Sequence, residues 1–187
     1  MRMKTIATLS VLLLGACSTS HPNMRYFRTT SANPKALVVI DQDDTTALGY
    51  VDANNRLHII LTPLDVLAKV SQLWFSPDQK RVIIESYGEG HQFISVYDIG
   101  VLVRDDDEQG GPMIPPAASL DPYPSAFENI RWVDGDCIEF SANADFKKFD
   151  KTTRRGSYAD NESAVVARVW RWRLADDTFE EVRSRQD

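Results

Sequence analysis

The stretch "LWFSPDQKRVIIES", residues 73–86, leaves few folds open. An aromatic strand end, a Ser-Pro-Asp-Gln turn and a β-branched run read as one tight antiparallel hairpin. Proline at the second turn position presets φ at about −65°, which suits a type I turn over Ser76, Pro77, Asp78 and Gln79. The same order recurs 57 residues on, from Phe75 to Trp132, with the turn Asp134-Gly135-Asp136 and the strand "CIEFSA" (137–142). "YVDANNRLHII" (50–60) supplies the closing half of an earlier unit, turning at Ala53-Asn54-Asn55. That makes two to three propeller-blade-like units, whereas closed propellers use about four to eight. Short strand units of this kind bury their faces against one another. The expected fold is all-β: a compact antiparallel sheet or sandwich, not a closed propeller.

Further strands are predicted at "KALVVID" (35–41), "QFISVYDI" (92–99) and "NIRWV" (129–133). The last hairpin joins "AVVARVWRWRL" (164–174) to "TFEEVR" (178–183) through Ala175-Asp176-Asp177. Alternation puts Val166, Trp170, Trp172 and Leu174 on one face, with Arg171 and Arg173 on the other. It likewise separates Ile138 and Phe140 from Cys137 and Glu139. The core is expected to draw on Trp74, Trp132, Trp170 and Trp172. Thr62 and Pro63 open a couple of helical turns, "PLDVLAKV" (63–70). Residues 100–128, with "RDDDEQGGPMIPP", form a long irregular loop, and 143–162 form a polar one.

The first seventeen residues read as an export signal. Arg2 and Lys4 precede a short apolar run, about half of the roughly 20 residues that a spanning helix needs. Leu14-Gly15-Ala16-Cys17 resembles the bacterial lipobox, whose cysteine is acylated and becomes the first residue. The expected organisation is a signal peptide (1–16), lipidated Cys17 with a flexible tether (17–34), and one β-rich domain (35–187). Ser18 is not the aspartate that, in lipoproteins, marks retention at the inner membrane. The resemblance therefore implies an outer-membrane lipoprotein facing the periplasm, held by its lipid anchor.

Composition narrows the partner. Without Arg2 and Lys4, the 21 basic residues fall to 19 against 27 acidic ones, a net of −8. No basic stripe offers phosphate contacts, so nucleic acid is not the expected partner. A cationic protein or a basic groove suits the surface, as simple solubility also would. With Cys17 acylated, Cys137 has no partner in the chain and reads as a free, half-buried thiol.

Nothing in the sequence demands catalysis. His58 and His91 lack zinc spacing, and neither a nucleophile elbow nor a phosphate-cradling glycine loop is present. "DQDD" (41–44) and "RDDDE" (104–108) lack the glycine and closing glutamate of a calcium loop and read as solvated acidic segments. No catalytic residue, metal or cofactor is expected.

Two resemblances add to this reading. Phe75, Ser76, Pro77, Asp78, Val82, Tyr97 and Asp98 resemble the blades of Tol-type and WD-repeat-like propellers, which prefer glycine where Gln79 stands. More narrowly, Asp78, Arg81, Val82, Tyr97 and Asp98, with "NIRWVDGDCI" (129–138), resemble small periplasmic immunity proteins. Those neutralise peptidoglycan amidases delivered by type VI secretion. The resemblance implies a binding protein whose loop after the Arg-Val strand plugs the enzyme's cleft. Here that loop comprises Tyr87, Gly88, Glu89, Gly90 and His91, without the family's serine at its tip. The acidic residues Asp105, Asp106, Asp107 and Glu108 would form a rim. The alternative is a structural or assembly lipoprotein of the envelope, which would bind its own machinery.

Replacing Cys17 by alanine is expected to leave the protein soluble or unprocessed. Membrane fractionation of the variant checks this, and unchanged anchoring would refute the lipid attachment.

Overall fold

The computed structural model describes residues 23–28, 36–42, 45–60, 69–88, 90–103, 114–122, 126–157 and 167–182. Cys17, Glu89 and the acidic residues 105–108 lie outside that set, as does Val166. The described chain is almost entirely antiparallel strand, in separate sheets, none closed into a barrel or propeller.

Three four-stranded sheets follow one another along the chain. Sheet A is the meander β1 (Asn23–Arg28), β2 (Ala36–Gln42), β3 (Thr45–Val51) and β4 (Leu57–Ile60). Sheet B is β5 (Lys69–Phe75), β6 (Arg81–Gly88), β7 (His91–Asp98) and β8 (Ala118–Leu120). A single helical turn, α1 (Ile99–Leu102), follows β7. Sheet C holds β9 (Glu128–Trp132), β10 (Cys137–Ala142), β13 (Arg168–Arg173) and β14 (Thr178–Val182). Between β10 and β13 a separate hairpin is inserted, β11 (Asp145–Asp150) with β12 (Arg155–Ser157).

Sheet B is the middle layer. On one side Val82, Ile84 and Tyr97 pack with Leu37, Val39, Leu48 and Tyr50 of sheet A. On the other, Ile83, Ile94 and Val96 pack with Ile138, Phe140, Trp170 and Trp172 of sheet C. Burial on both faces explains why "VIIES" reads as a continuous apolar run instead of alternating. Sheet C instead alternates, because only one of its faces meets the core. Trp170 and Trp172 are fully buried, whereas Trp74 and Trp132 sit half-buried at its border.

Polar groups staple the layers together. A bulge at Ser71 in β5 frees main-chain carbonyls. Arg25 donates to the carbonyls of Val70 and Ser71 while Asp41 holds its guanidinium at 3.0 Å. Between sheets B and C, the indole N–H of Trp132 donates to the Trp74 carbonyl at 2.9 Å. Arg81 reaches from the β5–β6 hairpin to the Gly135 carbonyl (3.1 Å) and the Asp136 carboxylate (2.7 Å). A Cβ on Gly135 would stand 2.9 Å from the Asp78 carboxylate, so the two turns could not meet as closely. The Ser76 carbonyl accepts from the Gln79 N–H at 2.8 Å, as the turn reading requires. Gln79 has φ +57°, which accounts for the glycine preference of similar hairpins.

Five segments differ from the sequence reading. β1 lies inside the stretch read as tether, because Arg25 and its neighbours complete the edge of sheet A. Lys69 and Val70, read as helical, begin β5. Ile99, read as strand, begins α1, and β8 lies within the expected irregular loop. The polar stretch 143–162 contains β11 and β12, anchored by Phe146 in the aromatic cluster with Phe140, Trp170 and Phe179.

Trp170→Ala is expected to cost about 3–5 kcal/mol. The indole N–H of Trp170 has no hydrogen-bond partner, whereas that of Trp172 donates to Asp177 at 2.8 Å. Trp170→Phe should therefore cost less than Trp172→Phe by about 1 kcal/mol. Urea denaturation midpoints of the two variants measure the difference.

Candidate functional site

The β6–β7 ladder runs to its end, with Gly88 paired to His91. Only positions 89 and 90 remain for the turn, and Gly90 takes φ +85° there. The projecting part is therefore shorter than the expected loop 87–91. Gly88 is buried in the ladder. The pleat also divides the remaining residues. Tyr87 shares a face with Ile83 and Glu85, while His91 shares the opposite face with Phe93 and Ser95.

Tyr87 is 45% exposed, yet the tip of its ring is tethered. Its hydroxyl donates to the Glu85 carboxylate at 3.3 Å. Glu85 is buried and also accepts from the Ser71 hydroxyl and the Gln92 amide. Gln92 in turn accepts from the Phe127 N–H at 2.6 Å and donates to the Phe127 carbonyl at 3.2 Å. Burial raises the Tyr87 phenol above its ordinary pKa, and the Glu85 charge adds to the rise. The phenol stays neutral and keeps its donor role at physiological pH.

His91 turns inward on the other face. Its ring lies 4.2 Å from the Phe93 ring, and its Nε2 is 3.8 Å from Asp121. Asp121 also accepts from Arg155 at 2.8 Å. Beside them is an open cavity of about 230 Å³, lined by Phe93, Ser95, Ser119, Asp121, Thr153 and Arg154. Arg154 is committed to Asp177 and lies over the Phe149 ring at 4.8 Å. Ile94 and Leu120 complete the lining, which mixes aliphatic and aromatic side chains with hydroxyls and paired charges. Sequence reasoning missed Asp121, Arg155 and this cavity, because no motif links β7 to residues 30 and more positions away.

The residues that carry the family resemblance mostly hold the layers in place. Val82 and Tyr97 are core, and Arg81 binds Asp98 and Asp136 between the sheets. Asp78 accepts from the Ser76 hydroxyl, which lowers its pKa.

The outer face of sheet C carries a cross-strand charge ladder. Arg131 of β9 and Arg171 of β13 flank Glu139 of β10, each donating to it at 3.0 Å. Burial alone would raise the Glu139 carboxyl, but the two guanidinium groups outweigh it and hold the pKa below the ordinary value. Cys137 lies on the same face opposite Arg173, a basic neighbour that only strand pairing reveals. Burial and the Asp134 charge nevertheless push its thiol pKa up, so the arginines do not activate it. Among the described residues, no group of three or more His, Cys, Asp or Glu is placed to hold a metal ion.

No family model matches the chain, and no curated protein matches it in sequence. Among solved structures, it is similar to an uncharacterized protein of Listeria monocytogenes EGD-e, at 11% identity and a TM-score of 0.49. The match covers 88% of this chain and 41% of that protein, so the chain spans less than half its length.

A carboxylate held below its ordinary pKa contributes stability above that value and loses it as pH falls through the folded value. Stability should therefore fall below about pH 4, with Glu139 among the groups responsible. Glu139→Gln should lower the urea midpoint at pH 7 and shrink its drop between pH 7 and pH 3. An acid drop identical to the parent's would remove Glu139 from that role.

Proposed function

We propose that the protein is a lipid-anchored periplasmic binding protein, acting as an immunity protein that occludes a secreted peptidoglycan-degrading effector. The observation that carries this reading is Tyr87, an exposed aromatic ring held on a tight hairpin end by the buried Glu85–Gln92 network. An anchor fixed before binding loses little side-chain freedom on association, and aromatic residues dominate binding energy at such surfaces. The two-residue turn beside it is narrow enough to enter a cleft. The lipobox and the resemblance to periplasmic immunity proteins support the compartment and the target class.

In this reading Tyr87 leads the contact, with Gly88, Glu89 and Gly90 shaping the tip. His91 contributes from the opposite face, beside Asp121. The acidic residues Asp105, Asp106, Asp107 and Glu108 form the rim and steer encounter with a cationic surface. The protein works by binding, with no chemistry and no cofactor of its own. The lipid anchor keeps it at the outer membrane, where an incoming hydrolase arrives.

Tyr87→Ala should weaken binding to the effector encoded beside this gene by about 2 kcal/mol, roughly 30-fold. Its urea midpoint should stay close to the parent's, because half of the ring is already exposed. Titration calorimetry with the purified effector measures the affinity, and survival of cells producing that effector measures protection. Unchanged affinity would take Tyr87 out of the interface. A barrier defect on gene deletion, with no toxin neighbour, would instead favour an envelope-assembly component.

A further inference from the structure

An edge strand left open is a template for pairing with another chain, and folded proteins guard such edges. Three four-stranded sheets have six edges, and five of these are guarded. β5 is bulged between Val70 and Gln72, and its main chain is bonded by Arg25, the Thr46 hydroxyl and the Trp132 indole. The Ser119 carbonyl of β8 accepts from Arg154 at 2.8 Å. β1 carries Arg25, and β14 carries Glu180 and Glu181. β9 carries Glu128 and Arg131, and its register with β10 is irregular. β4 differs. Its residues, Leu57, His58, Ile59 and Ile60, include no acid, lysine, arginine or proline, and they pair with β3 without a bulge. Leu57 is 42% and Ile59 55% exposed.

The β3–β4 hairpin fixes which way the β4 main chain points. The Asp52 N–H donates to the Arg56 carbonyl at 3.0 Å, and Asn55 closes the loop at φ +61°. Asp52 and Arg56 are therefore a hydrogen-bonded pair. Such pairs alternate along an antiparallel ladder, so His58 bonds Tyr50 and Ile60 bonds Leu48. The N–H and C=O groups of Leu57 and Ile59 then point off the sheet. Among the described residues, no side chain or further strand bonds to them.

We propose that β4 pairs antiparallel with β4 of a second copy of this chain, joining two A sheets across a two-fold axis. With His58 on the axis, Leu57 of each copy meets Ile59 of the other. Each of these residues then donates once and accepts once, and their side chains form apolar cross-strand pairs. Symmetry selects the occupant. A two-fold pair brings every charge near its own copy, and like charges directly opposite are destabilising. That disfavours the arginine of β1 and the glutamates of β14, whereas β4 has no such charge to oppose. His58 faces its own turn, with Nε2 3.2 Å from the Asp52 carboxylate. The strand is complementary to itself. The contact is small beside the roughly 800 Å² per partner of a standard interface, so the dimer is weak and concentration-dependent. This inference stands apart from the occlusion reading and from the lipid on Cys17.

The test is sedimentation equilibrium of the processed full chain, in density-matched micelles so that detergent adds no buoyant mass. Between about 10 μM and about 1 mM protein, monomer should pass to dimer with a Kd of about 0.1 mM. Ile59→Pro deletes only an N–H that points off the sheet and should raise that Kd at least about tenfold. Ile59→Lys puts a charge on the edge and should do the same, which keeps the test open if the proline lowers the urea midpoint. Tyr26→Lys, on the opposite edge of sheet A, should leave the Kd unchanged. Monomer alone at about 1 mM overturns the pairing. A dimer that survives both Ile59 variants places the contact elsewhere and overturns it too, as does a dimer lost equally with Tyr26→Lys. Species that keep growing beyond dimer overturn the closed two-fold arrangement.

Discussion

Everything in the molecule leans on the two-sided burial of β6. Val82 and Ile84 close one core and Ile83 closes the other, so the strand is a shared wall between two hydrophobic layers. A sheet that is apolar on both faces has no stable existence alone. Sheet A and sheet C each need sheet B to cover their inner faces, and sheet B needs both. The unit of stability is therefore the stack, not the hairpin. A blade-like hairpin can serve in a chain too short for a ring, because stacking buries what ring closure would otherwise bury.

The polar staples follow from the same constraint. Wherever two layers meet, some main-chain groups leave their ladder, and a side chain from the next layer takes them. Arg25 does so at the Ser71 bulge, and Arg81 at the Gly135 turn. Gln92 does so at Phe127. Each staple gives a main-chain group a partner and fixes register between sheets, which apolar packing alone does not specify. Tyr87 gains from this: its rigidity comes from Glu85, and Glu85 belongs to the staple at Gln92.

Much of this fold was legible because strand alternation and turn chemistry are local signals. The turn at Ser76 and the shared face of Trp170 and Trp172 could both be read directly. β11 escaped because "DFKKFD" shows two lysines between its phenylalanines, and the burial of Phe146 depends on Trp170 and Phe179 arriving from distant strands. β1 escaped because its role is to pair with β2 and reach the β5 bulge, neither of which leaves a mark in "NMRYFR". At the candidate site the hairpin end was legible from its glycines. The separation of Tyr87 from His91 was not, since it depends on ladder register running to Gly88. Asp121 and Arg155 had no signal at all, because only folding brings them to His91.

The inserted hairpin of sheet C makes its central pairing a long-range one. Sheets A and B are meanders, each strand pairing with the next along the chain, with residues 99–117 between β7 and β8 as the longest connection. In sheet C, β10 must pair with β13 across the whole insertion, from Ala142 to Arg168. Closing that larger loop costs more chain entropy before any contact repays it, and non-local pairing of this kind slows folding. Until it closes, Ile83 and Val96 have only the β9–β10 hairpin, through Ile130, Ile138 and Phe140, on that side. Pairing of β13 completes that wall of sheet B, with Trp170 and Trp172 filling it.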